Sequence, residues 1–405
     1  LNASIQSSVG PPEDPWLRGE SVSYYYFGYW MMGATSQISG VPSNISYNLS
    51  MALIPAMAAM GIFGLVSTMV RTEGRRWPYA ILGGVAGGVL LGVVANLEGV
   101  LEFMRAGGMG SQEFWDWIRI EGLNGPFPTP SESWHPDEFW WWFRSTRVIN
   151  TFDGAQGIDY TIQEFPFFSY MLGDLHPHMM SIPFIILFLG LLWNFYRSPT
   201  SGSSRTSFRN LVFTLTIGLS LGGLAFVNMW ALPVFAALFL GVAILKTYES
   251  YGGGIWVLVR GVAPVGLVVI ALVFLMFLPY YLTFSGSVTG IEPVSSATTR
   301  PLHFFIVWGL YLAVVAPFIV TTFWRASQTV EWARRAIFSS LLPLLPYGVW
   351  SFLYLEDGGA ASDLLERFLH VLPLALLIGM AMFTTLVVAA ERRHSGLSFA
   401  LILSA

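Results

Sequence analysis

Cysteine is absent from the chain, which excludes disulfides, thiol nucleophiles and cysteine-ligated metals. Charge is scarce. Asp, Glu, Lys and Arg make up 11% of the residues, less than half of the roughly 25% usual in soluble domains, too few to clothe a water-facing surface. The net charge of −4 is too small to specify a partner, and no basic stripe marks a nucleic-acid surface. No phosphate-binding loop, dinucleotide fingerprint, G-x-S-x-G elbow or H-E-x-x-H pair is found. Position 1 is Leu rather than Met, no leader pattern follows, and Ala405 falls inside an apolar run. The chain is therefore expected to be incomplete at both ends.

What is present is apolar. Hydrophobic residues make up 54%, with 16 Trp, 31 Phe and 41 Gly, and the mean hydropathy is +0.59. In hydrocarbon every backbone N–H and C=O must be paired within the protein, so only helices or closed barrels can span. The apolar runs are continuous rather than alternating, which selects helices. The expected fold class is all-α, a polytopic transmembrane bundle in contact with the lipid bilayer. Stretches near ~20 residues, enough for a core of roughly 30 Å, lie at 44–70, 77–98, 179–196, 209–227, 231–247, 255–279, 303–324, 336–355 and 368–390. A further one begins near Leu397, giving about 9–10 spans.

The basic residues orient this bundle. Thirteen of the 20 Lys and Arg fall at 71–76, 197–209, 246–260, 325–335 and 392–393, against only 4 of the 24 acids, Glu73, Glu249, Glu331 and Glu391. Positive charge marks the cytoplasmic side, and each crossing alternates without a parity error. Four regions follow: an outer segment 1–43, two spans in 44–98, a large extracytoplasmic loop 99–178 between the second and third spans, and a bundle of about seven spans in 179–405. Residues 24–38 are too short to span comfortably and suit an interfacial helix. Phe139-Trp-Trp-Trp-Phe143 also suits the lipid interface.

The candidate chemistry lies on the outer side. Asp174-Leu-His176-Pro-His178 puts a carboxylate and two imidazoles within five residues at a helix mouth. In an extended segment this spacing points all three to one side, as a divalent metal site (Mg or Mn) or as acid, base and phosphate ligands. The alternative is that Asp174 caps the helix and the histidines bond locally. Glu13-Asp14-Pro-Trp16, followed by Tyr24-Tyr25-Tyr26, offers acids beside aromatics for a sugar or head group, or else an ordinary Pro/Asp turn. Arg144 and Arg147 suit bidentate phosphate binding, or snorkelling and pairing with Asp137 or Glu138. Asn228 stands in a tight outer turn that it could simply cap. Glu98 and Glu102, one helical turn apart, face one cavity or form a solvated rim. His135, His303, His370 and His394 are isolated and read as structural or surface residues.

Several of these strings together resemble the "YYY" family of very hydrophobic, uncharacterised membrane proteins of Chloroflexi and archaea. The resemblance runs from Asp14-Pro-Trp16 and Tyr24-Tyr25-Tyr26-Phe-Gly28 through Tyr47-Asn-Leu, Arg144-Ser-Thr-Arg147, Glu164-Phe-Pro-Phe-Phe-Ser169 and Gly173-Asp-Leu-His-Pro-His178. It continues to Asn228-Met-Trp230, Leu278-Pro-Tyr-Tyr281 and Trp308-Gly309. The family looks related to GT-C membrane glycosyltransferases, which implies a polyprenyl-phosphate-linked sugar donor used on the extracytoplasmic face of the plasma membrane. Under that resemblance Asp174 or Asp14 activates the acceptor or holds a metal, His176 and His178 assist, and Arg144 and Arg147 neutralise the leaving phosphate. Glu13, Trp16, Tyr25 and Asn228 would line the substrate site. The chain departs from the family pattern at Ala231, where an Asp is usual, and in lacking a first span and acidic loop ahead of Leu1. That departure favours a second reading, a non-catalytic scaffold among partner membrane subunits.

Overall fold

The computed structural model describes residues 1–7, 10–22, 24–124, 135–153, 156–199, 204–252, 254–284, 299–326, 339–391 and 395–404; of 151–153, 156–160, 204–210 and 391 it describes the backbone alone. In chain order the helices are α1 (Asn2–Gln6), α2 (Phe27–Ser39), α3 (Ser43–Thr72), α4 (Trp77–Gly92), α5 (Glu98–Ala106) and α6 (Gln112–Ile118). A 3-10 turn at Trp141–Thr146 leads into strands β1 (Asn150–Asp153) and β2 (Gln156–Tyr160). Then come α7 (Pro166–Leu172), α8 (Pro177–Arg197), α9 (Ser204–Val227), α10 (Ala231–Tyr251), α11 (Ile255–Met276), α12 (Leu278–Thr283) and α13 (Pro301–Ala326). The last described helices are α14 (Leu345–Glu356), α15 (Ser362–Glu391) and α16 (Gly396–Ser404).

The protein is a polytopic helical membrane protein. Among the described residues six helices are long and apolar enough to cross a bilayer: α3, α8, α10, α11, α13 and α15. Two more, α4 and the Leu211–Val227 part of α9, are apolar but shorter. The 16 residues of α4 rise about 24 Å, short of the expected 77–98 span. The chain leaves the helix after Gly92, and Asn96 Oδ1 then accepts the Glu98 N–H at 3.1 Å at the head of α5. The expected span at 336–355 starts outside the described residues. Its described part is interrupted by a 3-10 turn at Leu342–Leu344 before the 12-residue α14, because Pro343 and Pro346 supply no N–H to a continuing helix. Pro279 likewise starts α12 as a separate short helix. Residues 285–298, between the expected spans 255–279 and 303–324, and His394 also lie outside the described residues.

The chain divides into two compact units. The first comprises Leu1–Gly92, Leu172–Gly290 and Val388–Leu403. Its core is built where α8, α9, α10, α11 and α16 meet, on Phe188, Leu192, Tyr196, Leu221, Val242, Val269 and Phe399. Small residues bring α3 and α4 together: Ser67 Oγ donates to the Ala80 carbonyl at 3.0 Å, and Gly84 faces the Phe63 ring. The second unit comprises Val93–Met171, Ile291–Val387 and Ser404–Ala405. Here Trp115, Ile118, Ile120, Leu123 and Val148 pack with Ile306 and Val307 of α13. The 99–178 segment therefore holds its own helices, α5 to α7, and an antiparallel β1–β2 hairpin with a bulge between Thr151 and Phe152.

A side chain at Gly84 has no room: a Cβ there meets Ser67 Oγ and lies 2.6 Å from Phe63 Cδ2, whereas one at Gly88 meets nothing within 4 Å. Gly84→Val is expected to destabilise the α3–α4 pair by about 1–3 kcal/mol and to lower the thermal-unfolding midpoint in detergent. Gly88→Val leaves that midpoint near wild type. Equal midpoints for the two variants would contradict the packing described.

Candidate functional site

The first unit carries the most chemically loaded turn. Gly173, at φ +74°, reverses the chain after α7 in a conformation that glycine adopts without steric cost. Four residues later Pro177 opens α8, where its fixed φ and missing N–H are suited to the first helical position, and His176 is the extended N-cap (φ −68°, ψ 144°). Between them Asp174 Oδ2 and His176 Nδ1 lie 2.5 Å apart. The ring of His178 follows, centroid 5.0 Å from that of His176. The side chains of Asp174 and His176 are 40% and 39% exposed, so both reach solvent while remaining anchored.

Two expectations for this string are corrected. His178 lies in the first turn of α8, not in an extended segment, so the alternation that would have aimed three ligands together stops at His176. Asp174 does not cap α8; its carboxylate binds the His176 ring instead. Among the described residues no group of three His, Asp or Glu side chains is arranged to hold a metal ion. The Asp174, His176 and His178 set therefore does not fit a three-ligand Mg or Mn site.

Tyrosines from α2 and α3 close in on the turn. The Leu175 N–H donates to the Tyr47 hydroxyl at 3.5 Å, and Met180 packs over Gly28. Burial pushes the Tyr29 hydroxyl well above the usual tyrosine range, and the carboxylate of Asp174, with Tyr24 and Tyr47, pushes it further. The neighbouring tyrosines continue as an aromatic wall. Tyr24 and Tyr25 rings are 4.9 Å apart, Tyr25 stacks on Phe284 at 6.0 Å, and Tyr26 meets Phe226 edge-on at 5.0 Å. Phe226 in turn lies 4.4 Å from Tyr280. A hydrogen bond with the Trp230 side chain works against the upward push of burial on Tyr25. Of this wall only Tyr25 was singled out as a site residue from the sequence. Tyr47 and Tyr280 stood in the family-like strings Tyr47-Asn-Leu and Leu278-Pro-Tyr-Tyr281 without a role, and Tyr29 in none.

The other candidates are placed differently. Asp14 Oδ1 accepts the N–H groups of Trp16 at 2.7 Å and Leu17 at 3.1 Å, and Glu13 pairs with Ser21 across the loop. This is the Pro/Asp turn of the plainer reading, with Trp16 91% exposed. Among the described residues no hydrogen bond or ion pair joins Asp14 to Asp174. At Asn228 the turn is closed by backbone bonds, the Ala231 N–H donating to the Asn228 carbonyl at 3.0 Å, and the N-cap of α10 is Trp230.

Arg144 and Arg147 lie in the second unit. Arg144 forks onto Glu102, Nε to Oε1 at 2.5 Å and Nη2 to Oε2 at 2.9 Å, and its Nη1 donates to Glu138 at 2.6 Å. Its guanidinium is thus engaged by carboxylates rather than open to phosphate. Arg147 donates to Thr146 Oγ1 at 2.5 Å and lies 4.4 Å over the Phe143 ring. Glu102 is buried at 2% exposure and Glu98 at 0%, so the solvated-rim reading of that pair is set aside. His303 is buried, its Nε2 2.8 Å from the Ile118 carbonyl oxygen, a structural role.

The sequence matches, over residues 1–405, the model of a family described as "Uncharacterized membrane protein (DUF2298)". No curated protein matches it, and no solved structure does.

The Tyr29 hydroxyl tests the geometry around the turn. Removing the Asp174 charge takes away one of the forces opposing phenolate formation, so in Asp174→Asn the Tyr29 pKa falls while remaining above the ordinary range because of burial. Titration of ring-labelled tyrosine by NMR in nanodiscs reads this directly. An unmoved Tyr29 titration would separate the two residues.

Proposed function

The chain belongs to this family of uncharacterized membrane proteins, and from that premise we propose that it is a glycosyltransferase-like enzyme of the membrane. In this reading it uses a polyprenyl-phosphate-linked sugar on the extracytoplasmic face of the plasma membrane, with the Asp174–His176 pair as its acid–base centre. The observation that carries the reading is the 2.5 Å contact between Asp174 Oδ2 and His176 Nδ1 in a turn fixed by Gly173 and Pro177. A carboxylate on one ring nitrogen sets the tautomer and stabilises the imidazolium that forms when the other nitrogen takes a proton.

The transfer follows from that arrangement. The acceptor hydroxyl gives its proton to His176 Nε2 as its oxygen bonds to the anomeric carbon. The bond from that carbon to the phosphate oxygen breaks, and the lipid phosphate leaves with the electron pair. Asp174 holds the imidazolium until the proton returns to solvent. The wall of Tyr24, Tyr25 and Tyr26 offers apolar ring faces with polar edges, suited to a sugar. Arg144 is not assigned to the leaving phosphate, since Glu102 and Glu138 engage it.

The second reading, a non-catalytic scaffold in a larger membrane assembly, is favoured by a different observation. Asp14 and Arg144, two of the residues that the enzyme would most need free, are tied into a turn and an ion pair.

The test is consumption of a panel of polyprenyl-phosphate sugars by the full-length protein in nanodiscs. Wild type is expected to release lipid phosphate. Asp174→Asn and His176→Ala should each lose roughly 10²–10⁴-fold, the scale of one general acid–base group. Intact donors in all samples would favour the scaffold; turnover untouched by both substitutions would move the site elsewhere.

A further inference from the structure

The second unit holds a polar group that the proposed chemistry does not use. Glu98, in the first turn of α5, is 0% exposed, and no donor group reaches either of its carboxyl oxygens, its side-chain neighbour at hydrogen-bond range being the Glu102 carboxyl. Glu102 follows one helical turn later, so the two side chains share a face.

The groups around this pair are otherwise engaged. Arg144, from the 3-10 turn, directs Nε and Nη2 to Glu102 and Nη1 to Glu138. Arg105, on α5 itself, donates to the Leu123 carbonyl and lies 5.5 Å over the Trp115 ring. Asn96 takes the Glu98 backbone N–H on Oδ1 and gives its Nδ2 hydrogen to the Ser145 carbonyl at 2.6 Å. From α13, Ile306 supplies only a backbone carbonyl, to Leu97. A second buried carboxylate thus stands beside an ion pair whose cation is already shared between two acids. An isolated buried carboxylate is so costly that the group takes up a proton instead, and of two carboxyls sharing a site one is kept neutral.

We propose that Glu98 and Glu102 form a proton-binding acid–base pair, Glu98 holding the exchangeable proton beside the ion pair that Glu102 makes with Arg144. Pairs of carboxyls driven apart in this way divide the roles of acid and base. Burial first, then the Glu102 charge and a side-chain hydrogen bond with Glu102, raise the Glu98 carboxyl well above the ordinary range, against the pull of Arg144. The sign of the pH effect follows. The folded chain holds this proton more tightly than the unfolded one, so the stabilisation is full below the ordinary Glu range and is lost as pH rises through the folded-state value.

The experiment is infrared titration of the full-length protein in nanodiscs, in H₂O and D₂O. Wild type is expected to show a protonated-carboxyl C=O band at neutral pH that shifts in D₂O, titrates away only at higher pH and is missing from Glu98→Gln. In Glu102→Gln, Arg144 turns to Glu98, and the midpoint should fall by roughly 1–3 pH units. This second variant also decides the matter should Glu98→Gln not fold. Absence of the band at neutral pH in wild type, its survival in Glu98→Gln, its indifference to D₂O, or an unmoved midpoint in Glu102→Gln would each overturn the proposal.

Discussion

A chain with few charges and long apolar helices has to pair its buried polar groups with itself, and most of this structure can be traced to that constraint. Hydroxyls inside the helices bond back one turn, as Thr247 Oγ1 does to the Ala243 carbonyl at 2.8 Å and Thr384 Oγ1 to Met380 at 2.7 Å. Charges that enter the interior arrive with partners. Lys246 donates to the Phe195 carbonyl and to Ser198 Oγ at 2.7 Å, and Glu249 accepts the Tyr196 hydroxyl at 2.6 Å. Each of these ties α8 to α10 where hydrophobic contact alone would set no register. Against that background the carboxyl of Glu98 stands out, because it is fully buried and no donor reaches either of its oxygens.

The same constraint shapes the Asp174 turn. A reversal between two apolar helices exposes backbone groups and needs residues that tolerate it, and Gly173 and Pro177 supply the two special conformations. The four-residue interval leaves room for one carboxylate–imidazole pair and no more. Tyr25 and Tyr26 just ahead of α2, Phe226 of α9 and Tyr280 of α12 then wall the region, and burial disfavours ionisation of the three tyrosine hydroxyls. A half-exposed acid–base pair beside an aromatic surface is an arrangement suited to a hydroxylated ligand, and this is why the enzymatic reading is put ahead of the scaffold.

Much of this was legible in the residues. Apolar runs near the length of a bilayer crossing marked the helices, since hydrocarbon admits no other open-ended backbone. Gly-Asp-Leu-His-Pro-His could be read as the outstanding polar string because titratable groups are rare here. Local breaks were harder to see. Pro343 and Pro346 looked like part of a span, yet each removes an N–H and together they shorten the helix; α4 ends at Gly92 although Val93, Val94 and Ala95 carry the apolar run on to Asn96. Asp14 was open to two readings, and its turn partners, the amides of Trp16 and Leu17, are close enough in sequence to have favoured the plainer one.

The sequence by itself determined the solvent: composition and run length require a helical bundle in lipid, and the basic residues suggest its orientation, because both depend on sums over many residues. What only the tertiary structure decided is which polar groups meet. Arg144 and Glu102 are 42 positions apart and Tyr47 and Leu175 are 128 apart, and no local pattern encodes such pairings. Whether an arginine is an open anion site or half of an ion pair, and whether a carboxyl is solvated or sealed and protonated, depends on what the fold brings within a few ångströms of it.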